Sequence, residues 1–272
     1  MRDEPEDGSR SLWARVGELV NDGCTVAVAT VIRTRGSVPR KAPARMIVLG
    51  DGRTEGTVGG GELEARVIDE ARALLASPDE TRLLQYAFSN PDRGDVGVCG
   101  GEVEIMVETV RPATRVVVVG AGHVGREVVA LSRFMGFHTT ITDDREDLCT
   151  PDATPGADVY VVCDMAEIPD QVRIDQATFV VLTTRSVHLD LGGLPSLLRC
   201  EPRYLGVIGS QRRWGTTAER LAQAGVPPDT IASITSPTGL DLEAESPKEI
   251  ALSIVAEIVM ILRGGTGNPM SG

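Results

Sequence analysis

No stretch of the 272-residue chain holds the roughly 20 consecutive apolar residues needed to cross a bilayer, so no membrane-spanning helix is expected. Positive charge is in short supply: 27 lysines and arginines stand against 39 aspartates and glutamates, a net charge of -12. Binding a polyanion takes clustered cations that displace counterions. Nucleic acid is therefore excluded as the main partner, and small molecules or proteins are expected. No two cysteines stand in a C-x-x-C spacing; Cys24, Cys99, Cys149, Cys163 and Cys200 are odd in number and widely separated. They read as free thiols of a reducing compartment, mostly buried as small hydrophobes. Met1 to Arg10 are acidic and polar, unlike a signal peptide, and a cytoplasmic location is expected.

What is present is a chain with 42% hydrophobic residues, long enough for a substantial core and for two domains, expected over residues 1–112 and 113–272. Met1 to Ser9, with four acids beside Pro and Gly, are expected to be disordered. Leu12, Trp13, Val16, Leu19 and Val20 then keep helical spacing up to Asn21-Asp22-Gly23. The composition of residues 24–32 and 44–49 predicts strands. Between them lies a loop with four cations, Arg33, Arg35, Arg40 and Lys41. A helix is predicted after Gly59-Gly60-Gly61, with Leu63, Val67, Ala71, Leu74 and Leu75 on its apolar face. Strands over 82–88 and 102–108 complete an α+β domain, and Pro112 closes it.

The second domain opens on Val116-Val117-Val118-Val119-Gly120-Ala121-Gly122-His123-Val124-Gly125, a β-branched run into G-x-G-x-x-G. The order predicts a buried strand, a tight turn and a helix. Gly120 serves the turn, Gly122 lets the main chain approach a pyrophosphate, and Gly125 lets helix and strand pack closely. The N–H groups of the helix start, at His123 and Val124, then face an anion. A second strand ends in Asp143-Asp144, where a carboxylate can accept from a ribose hydroxyl, Asp143 being the first candidate; Arg145 just beyond suits a 2′-phosphate instead, so NAD and NADP both stay open. Further strands over 157–162, 179–183 and 204–208 predict a Rossmann-like, doubly wound parallel sheet. Ser210, Arg212 and Arg213 follow the last of these, where a second phosphate can bind or one arginine simply forms a surface ion pair. Ser246, Pro247 and Glu249 mark the capped start of an apolar final helix that Gly264-Gly265 ends. A helix that apolar is expected to be buried, on the sheet or against another subunit.

Other residues carry chemistry. Cys99, flanked by glycines, is an approachable thiol, and its thiolate is a soft ligand. Arg40 and Lys41, with the free N–H groups expected at Gly60 and Gly61, can hold a phosphate by charge and hydrogen bonds. Glu62 suits a metal, proton transfer or simply the positive end of a helix. His123 stands inside the glycine loop, within reach of a ligand.

Gly36-Ser37-Val38-Pro39-Arg40-Lys41, Gly56-Thr57-Val58-Gly59-Gly60-Gly61 and Cys99-Gly100-Gly101 resemble the N-terminal motifs of the xanthine dehydrogenase accessory factor family, of the XdhC/CoxI type. The segment 120–125, Gly206 to Arg213 and Gly239 to Pro247 resemble its C-terminal domain. The resemblance implies a chaperone that binds the molybdenum cofactor, of molybdopterin type, allows its sulfuration by a cysteine desulfurase, and helps insert it into a molybdenum hydroxylase apoenzyme. Cys99 is then the metal ligand, and the dinucleotide part of the cofactor occupies the Rossmann-like domain, with the ligand between the two domains. Where members of the family carry a cysteine after the triple glycine, this chain has Glu62. That leaves an alternative, an NAD(P)-dependent reductase of a small-molecule substrate, with Glu62 or His123 giving a proton near Cys99. A homo-oligomer is expected in either case.

Overall fold

The computed structural model describes residues 8–77, 79–88, 96–97 and 100–271. The chain divides into two compact units, Met1–Pro112 and Ala113–Gly272.

The first unit opens with α1 (Gly8–Asn21). Gly8 and Ser9 already belong to this helix, where the composition predicted disorder; a polar first turn is compatible with a helix whose apolar face begins later. β1 (Val26–Arg35), β2 (Arg45–Leu49), β3 (Thr54–Gly56), α2 (Gly61–Leu75), β4 (Thr81–Ala87) and β5 (Glu102–Val110) follow. The strands form one antiparallel sheet in the order β3-β2-β1-β5-β4. Alternation along β1 sorts its side chains between two helices. Ala27, Ala29 and Val31 meet Leu63, Val67, Ala71 and Leu74 of α2. Val26 and Val28 meet Val16 and Leu19 of α1.

The second unit runs β6 (Arg115–Val119), α3 (His123–Phe134), β7 (His138–Asp143), β8 (Val159–Val162), a 3-10 turn at Met165–Glu167, α4 (Ile168–Gln171), β9 (Thr178–Leu182), α5 (Val187–Leu198), β10 (Tyr204–Val207), α6 (Gln211–Gln223), α7 (Pro228–Ala232) and α8 (Pro247–Arg263). Its five strands are all parallel, in the order β10-β9-β6-β7-β8. Both faces are covered, which is why β6 is apolar at every position from Val116 to Val119. Val116 and Val118 pack beneath α3 and α8, while Val117 and Val119 pack beneath Ile168, Leu194, Leu197 and Leu221. The final helix carries its complete capping box, Ser246 with Glu249, and ends on Gly264 at φ 68°. Ile254, Val255 and Ile258 bury it within this unit, each worth about 1.5–3 kcal/mol on full burial. Among the described residues no helix is long and apolar enough to cross a membrane.

Strand order reverses at β6: β7 and β8 extend the sheet to one side, β9 and β10 to the other. In open sheets of this kind, ligands bind at the carboxyl edge beside the strand where the order turns.

Candidate functional site

At that edge the chain leaves β6 through Gly120, whose φ of 111° disfavours any side chain. A Cβ there would also stand 2.9 Å from the Thr183 carbonyl oxygen. On Gly125 a Cβ would run into the Gly120 carbonyl oxygen and stand 2.8 Å from Thr183 Oγ1. These two glycines serve the fold, by closing helix onto strand. Gly122 differs: its φ of -72° suits any residue, and a Cβ there would meet nothing within 4 Å. It borders open space at the start of α3, a helix with no side-chain cap and hence with N–H groups available to an anion. His123 is exposed at the first helical position, with Val124 half-buried behind it.

Beside this turn lies an open cleft, lined among others by Gly120, Asp143, Asp144, Arg145, Cys163 and Arg185. Asp143 Oδ2 accepts the Ala121 N–H at 2.6 Å and Arg145 Nη2 at 2.8 Å. Its Oδ1 accepts the Arg145 backbone N–H at 2.9 Å and Nε at 2.8 Å. An ionised carboxylate offers about four acceptor positions, and the chain itself fills them. Burial disfavours the charge on Asp143, but the Arg145 guanidinium and the two backbone N–H groups outweigh it and hold the carboxyl down to about 2. Hydrogen bonding to Asp143 in turn holds the Arg145 guanidinium above its ordinary value. Asp144 is the outward neighbour, and Arg185 meets it end-on, Nη1 to Oδ1 at 2.8 Å and Nη2 to Oδ2 at 2.6 Å. Burial pushes the Cys163 thiol up, so it is a poor thiolate in this cleft.

The start of α6 is built on a second ion pair. Arg213 donates to Asp190 Oδ2 at 2.7 Å and to Thr184 Oγ1 at 3.0 Å; Asp190 is fully buried and also accepts the Thr184 hydroxyl. Arg213 thereby joins α6 to the segment after β9. Ser210 caps α6, accepting the Arg213 N–H at 3.3 Å, and Arg212 points into solvent.

In the first unit three glycine-bearing loops touch. A Cβ on Gly36 would stand 2.7 Å from the Gly100 carbonyl oxygen, and one on Gly101 would stand 2.7 Å from that of Arg35. A Cβ on Gly59 would be 3.2 Å from Pro39 Cβ. The Gly36 to Lys41 loop is thus seated against both the turn before α2 and the pair Gly100-Gly101. The turn before α2 is held by Glu64: Oε1 accepts the N–H groups of Val58 at 3.1 Å, Gly59 at 3.3 Å and Gly60 at 2.9 Å, together with the Thr57 hydroxyl. Burial acts against the Glu64 charge, but the Thr57 hydroxyl and these N–H groups prevail and keep its carboxyl below the ordinary range.

The XdhC Rossmann domain model matches residues 116–258, and the XdhC and CoxI family model matches residues 19–87. The chain belongs to the XdhC and CoxI family. Among relatives of this XdhC-type chain, YqeB of Escherichia coli (strain K12), an uncharacterised protein, is 28% identical over 96% of the chain and 48% of its own length. The chain therefore spans about half of that relative. The molybdenum cofactor insertion chaperone PaoD of Escherichia coli (strain K12) is 24% identical over 94% of the chain and 89% of its own length. A solved structure from Bacillus halodurans, described as a xanthine dehydrogenase, superposes with a TM-score of 0.50 at 24% identity, covering 93% of this chain and 96% of that one. At that identity the likeness is one of fold.

Several sequence-predicted site residues stand elsewhere than their types suggested. Gly60 was expected to offer a free N–H, and Glu64 takes it; Gly61 begins α2 with open space around it. Glu62 is 55% exposed and pairs with Arg66 at 2.5 Å. Asp143, the expected ribose acceptor, is spent on the glycine turn and Arg145. Arg40 and Lys41 are exposed, and their side chains make no ion pair or hydrogen bond among the described residues. Cys99 lies outside the described residues, and among those described no group of three His, Cys, Asp or Glu side chains can hold a metal ion. Of the adjacent pair Asp143 and Asp144 sequence reasoning preferred the first, and it gave no role to Glu64, Arg185 and Asp190. A carboxylate in the first turn after three glycines was the available signal for Glu64. An acid within the apolar run of α5 was the signal for Asp190.

Proposed function

We propose that this chain is an accessory protein of a molybdenum hydroxylase of the xanthine dehydrogenase type, which holds the molybdenum cofactor and passes it to the apoenzyme. Membership of the XdhC and CoxI family and similarity to PaoD along nearly the full length of both chains support this reading. The observation that carries it in the structure is Gly122, which borders open space at an uncapped helix start beside the cleft. Such a place fits the phosphate-bearing part of a molybdopterin-type cofactor, with the helix N–H groups as donors and Arg185 as an exposed cation lining the same cleft. The cofactor would supply the redox-active molybdenum to the client enzyme. Cys99 is the soft ligand of this proposal, and a cysteine desulfurase and the hydroxylase apoenzyme are its partners.

An NAD(P)-dependent reductase would use the same cleft but needs a proton donor. Glu62, more than half exposed and paired with Arg66, is poorly suited to that task, which leaves His123, exposed at the start of α3, as the donor of that reading. The test compares wild type and Cys99→Ser purified from cells that make the cofactor, by metal analysis beside a thermal melt. Molybdenum retained by wild type and lost by a folded variant is the expected result. Equal molybdenum in both would remove the thiol from the site. Nicotinamide oxidation that disappears in Glu62→Gln or His123→Gln would favour the reductase.

A further inference from the structure

A sheet edge is a row of unpaired N–H and C=O groups, which proteins blunt by shortness, charge or a covering segment. The two sheets of this chain have four such edges. β3 spans three residues and sets Glu55 in an ion pair with Arg15 at 3.0 Å. β8 spans four residues. Beside β10 runs the segment around Thr235, which accepts the Val207 N–H at 2.9 Å and donates to the Leu205 carbonyl at 2.9 Å. Among the described residues β4 has none of these devices. It is seven residues long, holds no proline, and turns its one charge, Arg82, onto the face of α2, where Glu70 takes it at 2.7 Å.

The bonds at its two ends give the orientation of β4. Glu80 accepts the Thr109 N–H at 2.9 Å and Phe88 donates to the Gly101 carbonyl at 2.8 Å, so the even-numbered positions bond to β5. Thr81, Leu83 and Gln85 therefore turn their N–H and C=O groups outward, and among the described residues no backbone bond from another segment reaches them. Ala87, the next position in that row, accepts the Val96 N–H at 3.1 Å, which marks where the chain closes its own edge. The side chains of the three outward residues stand on the sheet face opposite α2. Leu83 shares that face with Met106 and is 56% exposed.

We infer that this edge docks a second copy of the chain, β4 against β4 in antiparallel, so that the two five-stranded sheets of the first units join into one. The edge is self-complementary about Leu83. With the two-fold axis there, Leu83 packs on its own counterpart, and Thr81 lies opposite Gln85, a hydroxyl facing an amide. Every outward residue then faces an outward residue, and each facing pair exchanges two main-chain bonds. A slip of one residue would set outward groups against groups already bonded to β5, which fixes the register. The contact is isologous, so two copies close it and no third can add. At its centre the exposed leucine leaves water.

Sedimentation equilibrium on the full chain tests it, with wild type, Gln85→Ala, Gln85→Pro and Leu83→Lys, each beside circular dichroism and a thermal melt. Proline at position 85 removes one outward N–H and no bond to β5, so it strikes the edge and spares the sheet. Wild type and Gln85→Ala are expected to have the mass of two chains at micromolar concentration. Gln85→Pro and Leu83→Lys are expected to fold and to dissociate at least tenfold more readily. Wild type with the mass of one chain would overturn the second copy as the occupant. Gln85→Ala that dissociates as readily as Gln85→Pro would overturn the main-chain pairing. Folded Gln85→Pro and Leu83→Lys that associate as wild type does would place the contact elsewhere and overturn the assignment; where Gln85→Pro does not fold, Leu83→Lys decides in the same way.

Discussion

The buried Asp143 carboxylate accepts the backbone N–H of Ala121 at 2.6 Å, tying the end of β7 to the glycine turn that follows β6. The bond holds the turn in place at the wall of the cleft. It also makes the second unit acid-sensitive. The Asp143 carboxyl, at about 2 in the folded protein, lies below the value of about 3.9 expected in an unfolded chain. Its contribution, on the order of 2 kcal/mol, is present above pH 4 and is lost as the pH falls toward 2. Denaturant titrations across that window should show the loss in wild type and a much flatter profile in Asp143→Asn, already destabilised at pH 7.

Gly125 and Gly122 should respond in opposite ways. In Gly125→Ala the new methyl has nowhere to go but into the Gly120 carbonyl, so α3 must move off β6 at a cost of about 3 kcal/mol or more. In Gly122→Val the Cβ meets nothing within 4 Å, so the variant should fold, losing about 1 kcal/mol or less for a poorer N-cap. It should nevertheless weaken ligand binding more than tenfold, about 1.4 kcal/mol, by filling the space that the ligand needs. Melting curves and calorimetry on the two variants separate these effects.

Glu64 should matter to the first unit, and Glu62 should not. Glu64→Ala strips three backbone N–H groups and the Thr57 hydroxyl of their acceptor, a loss of about 1–3 kcal/mol in urea unfolding. Glu62→Ala removes an exposed pair worth about 0.5 kcal/mol or less. Equal effects of the two substitutions would contradict the assignment.

Arg213→Ala should cost about 3 kcal/mol, because it leaves the Asp190 charge buried without a cation. Arg213→Lys should recover only part, since an ammonium cannot reach Asp190 and Thr184 in the fixed fork of a guanidinium. The exposed Arg212→Ala should stay within about 0.5 kcal/mol of wild type. Chemical denaturation measures all three.

The parts of the fold set by local chemistry were legible in the chain. Val116 to Val119 running into Gly120 announced a strand buried on both faces, and Ser246, Pro247 and Glu249 announced the start of α8. What stayed hidden was the direction of single side chains. Glu62 and Glu64 share the first turn of α2, and which one folds back depends on consecutive φ values of 148°, 80° and 64° at Gly59, Gly60 and Gly61. Residue types alone do not give that reversal. Asp143 and Asp144 are adjacent and both line the cleft, yet the first is buried and bonded to the glycine turn and Arg145 while the second pairs with Arg185. Arg185 is assigned only once parallel pairing brings the ends of β7 and β9 to either side of β6.

Cofactor carriage is tested most directly by mass spectrometry of the small molecules released from gently purified protein, with molybdenum measured on the same sample. A molybdopterin-type compound and molybdenum, both in proportion to the protein, are the expected result. A nicotinamide dinucleotide released alone, with no molybdenum above background, would contradict the carrier and point to the reductase.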